Sequence, residues 1–157
     1  QRQMCIRDRV YVYHCTGSMK AWLDHYGYRW MLHRPNPDMF SKQGVCISTA
    51  AGAGTKWTNK DMADSMFFWG MGKIYRYGTA AHALNYKSIS PKKMEEIEKA
   101  TDKLAEKIRR NYGHVKPGLK TKAYFEVMRK LVKSGWNEVD VAYWKEHGWT
   151  EKARPWK

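Results

Sequence analysis

The chain has 157 residues, 43% of them hydrophobic and 14% aromatic, which is enough for one domain with its own core and too apolar for a disordered segment. Its 29 basic and 15 acidic residues give a formal charge of +14; this suits an anionic cofactor or partner but governs solubility and steering rather than fold. No run approaches the roughly 18 apolar residues of a membrane span and no signal-peptide pattern appears, so a cytoplasmic location is expected. Cys5, Cys15 and Cys46 are an odd number without CxxC spacing, which points to buried or spare thiols rather than a disulfide framework or a metal cage.

In chain order, Gln1 to Arg9 (QRQMCIRDR) share no pattern with the rest of the chain and resemble translated sequencing-adapter sequence, so residues 1–9 are set aside in reading the fold. Val10-Tyr11-Val12-Tyr13 are of strand type. A helix comes after them, capped by Thr16 or Ser18, with Met19, Trp22, Leu23 and Tyr26 on one face. After a turn at Pro35 and Pro37, Val45-Cys46-Ile47 is consecutively apolar, as in a strand covered on both faces. A loop of very small residues, TAAGAG, comes next. Thr58 with Asp61 is the expected helix start, Met62, Met66 and Trp69 form its stripe, and Gly70 stops it. Ile74 to Tyr77 reads as a third strand. Ser90-Pro91 opens a long helix with Met94, Ile97, Thr101, Leu104 and Ile108 on one face and Lys107, Arg109 and Arg110 in its last turn, where the helix dipole favours them.

Strand and helix therefore alternate from Val10 to Arg110, which argues for an α/β domain with a parallel sheet. Gly113 to Gly118 is a linker. An amphipathic helix starts at Thr121 and ends at Gly135, bearing Tyr124, Phe125, Met128, Leu131 and Val132; a shorter one starts at Asn137, carries Val141 and Trp144, and stops at Gly148. From Lys107 to Lys133 nine basic residues face one acid, Glu126, and a solvated basic face is the plainest account of them.

In parallel sheets of this kind ligands sit outside the carboxyl ends of the strands. The loops after Tyr13 and after Ser48 are therefore where chemistry is expected. Thr49, Ala50, Ala51, Gly52, Ala53 and Gly54 have almost no side chain between them, so a flat ring could approach the main chain and take hydrogen bonds from its N–H groups. TAAGAG is neither GxGxxG nor a P-loop ending in GK[ST], which disfavours a phosphate cradle here. The histidines show no paired metal spacing, and only His14 falls in these loops. Asp24 is read as a local pairing residue.

VYVYHCTGSMKAWLDHYGYRW followed by ISTAAGAGTKWTNKDMADSMFFWG resembles the second half of a flavodoxin-like NAD(P)H-dependent flavin mononucleotide (FMN) reductase, over Val10 to about Arg110. The resemblance implies a doubly wound sheet of order 2-1-3-4-5 with FMN at its carboxyl edge. Val10, Tyr11, Val12, Tyr13 and Thr16 would flank one side of the flavin ring, and Thr49 to Gly54 would close another. It also implies a nicotinamide as hydride donor, a small-molecule or protein electron acceptor, and no catalytic side chain or metal. The family's Ser-Pro stands replaced by Asp8-Arg9, and two βα units with the FMN phosphate loop do not precede this segment, so the chain is expected to be a carboxyl-terminal portion that binds FMN weakly. The expected organisation is then residues 1–9, an FMN-binding part at 10–112 and a basic helical extension at 113–157. That extension is expected to dock within a homodimer; its own domain and an anionic membrane surface are the other two choices. A nucleic-acid- or lipid-binding module and a flavodoxin-type electron carrier are the alternative functions; under the reductase reading nucleic acid is not an expected partner.

Overall fold

The computed structural model describes residues 3–83 and 85–156. Its three strands, β1 (Gln3–Arg9), β2 (Gln43–Ala50) and β3 (Lys73–Ala80), form one parallel sheet in the order β1-β2-β3. They alternate with helices α1 (Gly17–His25), α2 (Thr55–Phe68) and α3 (Pro91–Arg110), and α4 (Leu119–Lys133) and α5 (Glu138–Glu146) come after these. Among the described residues no helix is long and apolar enough to cross a membrane. β2 is central, in register with β1 from Gln3↔Gln43 to Arg9↔Thr49 and with β3 from Gln43↔Lys73 to Ala50↔Ala80. Its consecutive apolar run is explained by this position, since a strand paired on both edges and covered on both faces has no solvent side to make polar.

The first strand differs from expectation. It lies at Gln3–Arg9 rather than Val10–Tyr13, and the segment set aside in the sequence forms a full edge of the sheet. Strand propensity favoured Val10–Tyr13, but pairing along β2 takes the preceding residues, which leaves Val10–Tyr13 as the turn beyond the strand. Propensity is a preference for a half-buried pleated surface, and partner length overrides it here.

One face of the sheet holds the main core. Ile6 and Cys46 pack with Leu23 of α1, with Met62, Ala63, Met66 and Trp69 along and just after α2, and with Met71. A Cβ on Gly44 would stand 2.6 Å from Met66 Sδ, so a larger residue there would force the Met66 side chain aside where α2 lies on β2. On the opposite face Gln43 Nε2 donates to the Ile108 carbonyl at 3.0 Å, and the Tyr75 hydroxyl donates to Gln43 Oε1 at 3.0 Å. Those bonds hold the last turn of α3 over β2 and β3. The α3 stripe of Met94, Ile97, Leu104 and Ile108 is only half-buried, and Cys5, Arg7 and Arg9 on the same face of β1 are exposed, Asp8 being on the other.

The extension builds a second core. Phe125, Met128, Val132, Trp144 and Trp149 close around Met31 and Phe40, which belong to the connection between α1 and β2. Phe125 stacks on Trp144 with centroids 4.7 Å apart and meets Phe40 edge-on at 5.6 Å. Polar contacts set the register: the Trp144 indole donates to the His33 carbonyl at 2.6 Å and the Tyr143 hydroxyl to the Pro35 carbonyl at 2.8 Å. Asp140 is 2% exposed, with His33 Nδ1 at 2.8 Å and the Arg34 guanidinium at 3.4 Å, so the buried carboxylate has the basic partners it needs. Of Phe125, Leu131 and Trp144, the residues the sequence expects to be buried where the extension docks on a second subunit, Phe125 and Trp144 are covered by the chain's own domain, whereas Leu131 is exposed and Val132 takes the buried place beside them. Gly70 shows why α2 stops where it does: its φ is +86°, and a Cβ there would sit 2.6 Å from the Phe40 ring.

Removing Phe125 should open a cavity that Trp144 and Phe40 cannot collapse into; Phe125→Ala is expected to cost about 3–5 kcal/mol in urea unfolding. Glu126 supplies a second test. Partial burial pushes its carboxyl up, but the hydrogen bond and charge of Arg154 and the charge of Arg129 outweigh that and hold it below the ordinary value. A carboxyl depressed in the fold adds stability that is present above its unfolded value and lost as pH falls through the folded one. Wild type should therefore exceed Glu126→Gln in stability at neutral pH by a modest margin, since the side chain is 39% exposed, and the gap should close below about pH 4.

Candidate functional site

The carboxyl ends of the three strands bring two loops together. After β1, Val10 N still donates to the Thr49 carbonyl at 3.0 Å, then Tyr11 and His14 exchange backbone hydrogen bonds at 3.1 and 3.0 Å. This closes a tight turn in which Val12 has φ +46° and Tyr13 has φ +68°. Left-handed backbone at a β-branched residue is strained and persists only where the surroundings enforce it.

Three groups enforce it. Asp8, at the end of β1, accepts from Thr16 N at 2.7 Å and from the Thr16 hydroxyl at 3.0 Å. Asp61, on α2, accepts from Cys15 N at 3.2 Å and lies 3.0 Å from His14 Nδ1. Gly54, with φ +101°, packs under the turn so closely that a Cβ would meet Val10 Cγ1 at 2.5 Å and Tyr13 Cα at 3.0 Å. Each loop is therefore the wall against which the other is set. Beneath them lies a buried polar layer: Ser48 donates to the Thr55 carbonyl at 3.1 Å, Thr58 is fully buried, and Asn59 is 4% exposed with no partner for its Oδ1.

The outward side is open. Tyr11, Val12, Tyr13 and Trp57 are exposed, as are Ala51, Gly52 and Ala53. A Cβ on Gly52 would meet nothing within 4 Å, so the fold itself gives no reason for the smallness of this residue. α2 starts at Gly54 without a side-chain cap, which leaves first-turn N–H groups at the same edge in want of partners.

All eleven residues singled out in the sequence thus lie at this edge, in different capacities. Thr16 is engaged by Asp8 and caps α1 through Met19 N at 3.2 Å. The Val10 side chain is packed against Gly54. Tyr11, Val12, Tyr13, Thr49 and the run from Ala50 to Gly54 border the open side, with Ala51 to Ala53 its most exposed part. Sequence reasoning missed Asp8 and Asp61 as the loop anchors. Asp8 fell in the segment set aside, and Asp61, which reads locally as a helix-start residue, lies 47 positions from His14, so no local pattern joins them.

A cleft of about 420 Å³ between α1 and α2 passes His14, Cys15 and Asp61. Burial, then the charges of Asp61 and Asp8, push the Cys15 thiol up; a protonated thiol beside two carboxylates is a poor nucleophile. Among the described residues no group of three or more His, Cys, Asp or Glu is placed to hold a metal ion. No protein-family model and no curated protein matches the chain.

The two loop glycines should respond oppositely to the same change. Gly54→Ala adds a Cβ at positive φ against Val10 and Tyr13 and is expected to cost about 1–3 kcal/mol in urea unfolding. Gly52→Ala faces open space and should fall within about 0.5 kcal/mol of wild type.

Proposed function

We propose that the chain is a flavin-dependent oxidoreductase of the flavodoxin-like NAD(P)H:FMN reductase type, with β1, β2 and β3 as the third, fourth and fifth strands of a doubly wound sheet. The observation that carries this reading is the pair of mutually locked loops at the carboxyl edge, one strained and aromatic, the other stripped of side chains and facing open space at Gly52. A planar ring fits that geometry: it needs main-chain donors within reach, flat side chains beside it and no Cβ in its path. Bound FMN would take hydride from a nicotinamide and pass electrons to a small-molecule or protein acceptor.

The residues here would do the holding. N–H groups of Ala51 to Gly54 would donate to the polar edge of the ring, fixed in advance by the buried contacts of Ser48 and Thr58. Tyr11, Tyr13 and Trp57 would shield its faces from water. The contacts of Asp8, Asp61 and Gly54 would keep the strained turn at Val12 and Tyr13 from relaxing into the space the ring would occupy. A second copy of the chain covering the exposed Tyr11–Tyr13 turn would complete the exclusion of water, and the homodimer is proposed on that ground.

Titration with FMN and with riboflavin, followed by flavin fluorescence, tests the reading. Both flavins should bind saturably and within about threefold of each other, because the assigned contacts are to the ring and not to the phosphate. Gly52→Val should weaken both by about tenfold or more with no loss of stability, since branched bulk would fill the approach to the backbone. Absence of saturable binding, or Gly52→Val affinity equal to wild type, would overturn the assignment.

A further inference from the structure

The outer face of α4 takes no part in the site and none in the second core. Thr121, Phe125, Met128 and Val132 turn inward and are buried. The residues of the helix that are exposed are Leu119, Lys120, Ala123, Val127, Lys130, Leu131 and Lys133. Each is either apolar or a lysine. Leu119 is 85% exposed, Val127 52% and Leu131 47%. Ala123, Val127 and Leu131 succeed one another at intervals of four and so form a single stripe along the helix, with Lys130 and Lys133 along one flank.

The acid that the helix does carry is withdrawn from that face. Glu126 is held by Arg154, and by Arg129 Nε at 2.8 Å. A helix face that serves only to be solvated mixes acids, amides and bases, and has no reason to expose a leucine, a valine and a leucine in line. Nor does folding need the stripe, because the apolar demand of α4 is already met by Met31, Phe40, Trp144 and Trp149.

We propose that this outer face of α4 docks on an anionic lipid bilayer. The aliphatic stripe would enter the headgroup boundary while Lys130 and Lys133 reach lipid phosphates and carboxylates, the arrangement by which amphipathic helices lie in a membrane surface without spanning it; Lys120 turns inward, its ammonium 4.7 Å from the centre of the Phe67 ring. The chain's +14 charge complements such a surface as a whole, and each lysine near it adds attraction. A nucleic acid would also answer to the lysines. It has no use for Val127 and Leu131, and the face offers no exposed aromatic ring on α4 for a base to stack on. The inference stands on α4 alone and is independent of the flavin reading.

Sedimentation of the full chain with vesicles tests it. Vesicles of phosphatidylcholine with about one-third phosphatidylserine should carry the chain down at physiological salt, and pure phosphatidylcholine vesicles should not. Val127→Ser with Leu131→Ser should lower partitioning by about tenfold. Lys130→Gln should lower it by about fivefold, and adding Lys133→Gln by a similar factor again. Unchanged melting temperatures show the variants folded; Ala123→Glu, at an exposed helical position, is a second variant expected to abolish binding. The proposal is overturned if anionic vesicles fail to bind the chain. It is equally overturned if the lysine variants reduce binding while the Val127/Leu131 pair and Ala123→Glu do not, or if duplex DNA binds with the same indifference to the aliphatic variants, since the face would then be a diffuse cation.

Discussion

The rest of the molecule depends on how closely β2 is enclosed. It is paired along both edges, and at Gly44 the sulfur of Met66 stands where a side chain would be. That approach brings α2 down onto the sheet, and α2 in turn carries Thr58 and Asp61 to the carboxyl edge, where they meet the loop that leaves β1, while Asn59 packs against Gly78 of β3. The open loop at Ala51–Ala53 is therefore the exposed end of a packed unit, anchored where Gly54 meets Val10 and Tyr13. Its precision comes from the buried strand behind it.

The extension meets the domain at the far end of α2, through the connection that joins α1 to β2. Met31 and Phe40 would be ordinary loop residues without it; with it they become the floor of a core filled by Phe125, Trp144 and Trp149. The polar contacts of His33, Arg34 and Pro35 with α5 fix its register. This explains why α4 can carry an outer face that is useless for folding: the inner one is complete. The same arrangement keeps the extension away from the carboxyl edge of the sheet, so the site and the α4 face are structurally separable.

Much of the fold was legible, because long amphipathic patterns report burial directly. The extent of α3, the buried stretch of β2, the Gly70 stop and the Asn137 start of α5 all follow from local rules and each stands in the structure, although the α3 stripe is only half-buried. The first strand was not legible. Met4, Ile6 and the intervening Cys5 and Arg7 make a weak strand pattern, whereas Val10–Tyr13 make a strong one, and only the length of β2 decides between them. For the site, the small-residue loop announced itself by composition, but the reasons for its two glycines did not: Gly54 is demanded by packing against Val10 and Tyr13, Gly52 by nothing in the fold. The carboxylates that hold the loops were invisible because their partners are distant in sequence. The docking of the extension was visible only as an apolar face in need of cover, and composition does not say which surface supplies it.

Under the proposed function, the two loops at the carboxyl edge form one binding surface for a flavin. Amide chemical shifts recorded while FMN is added test it most directly, since they report position without requiring tight binding. Saturable changes are expected at Tyr11–His14 and Ala51–Lys56, with Asp61 and Cys15 following through their hydrogen bond. Changes confined to other parts of the chain, such as the aromatic cavity lined by Trp22, Tyr26, Tyr28 and Trp69, would contradict it.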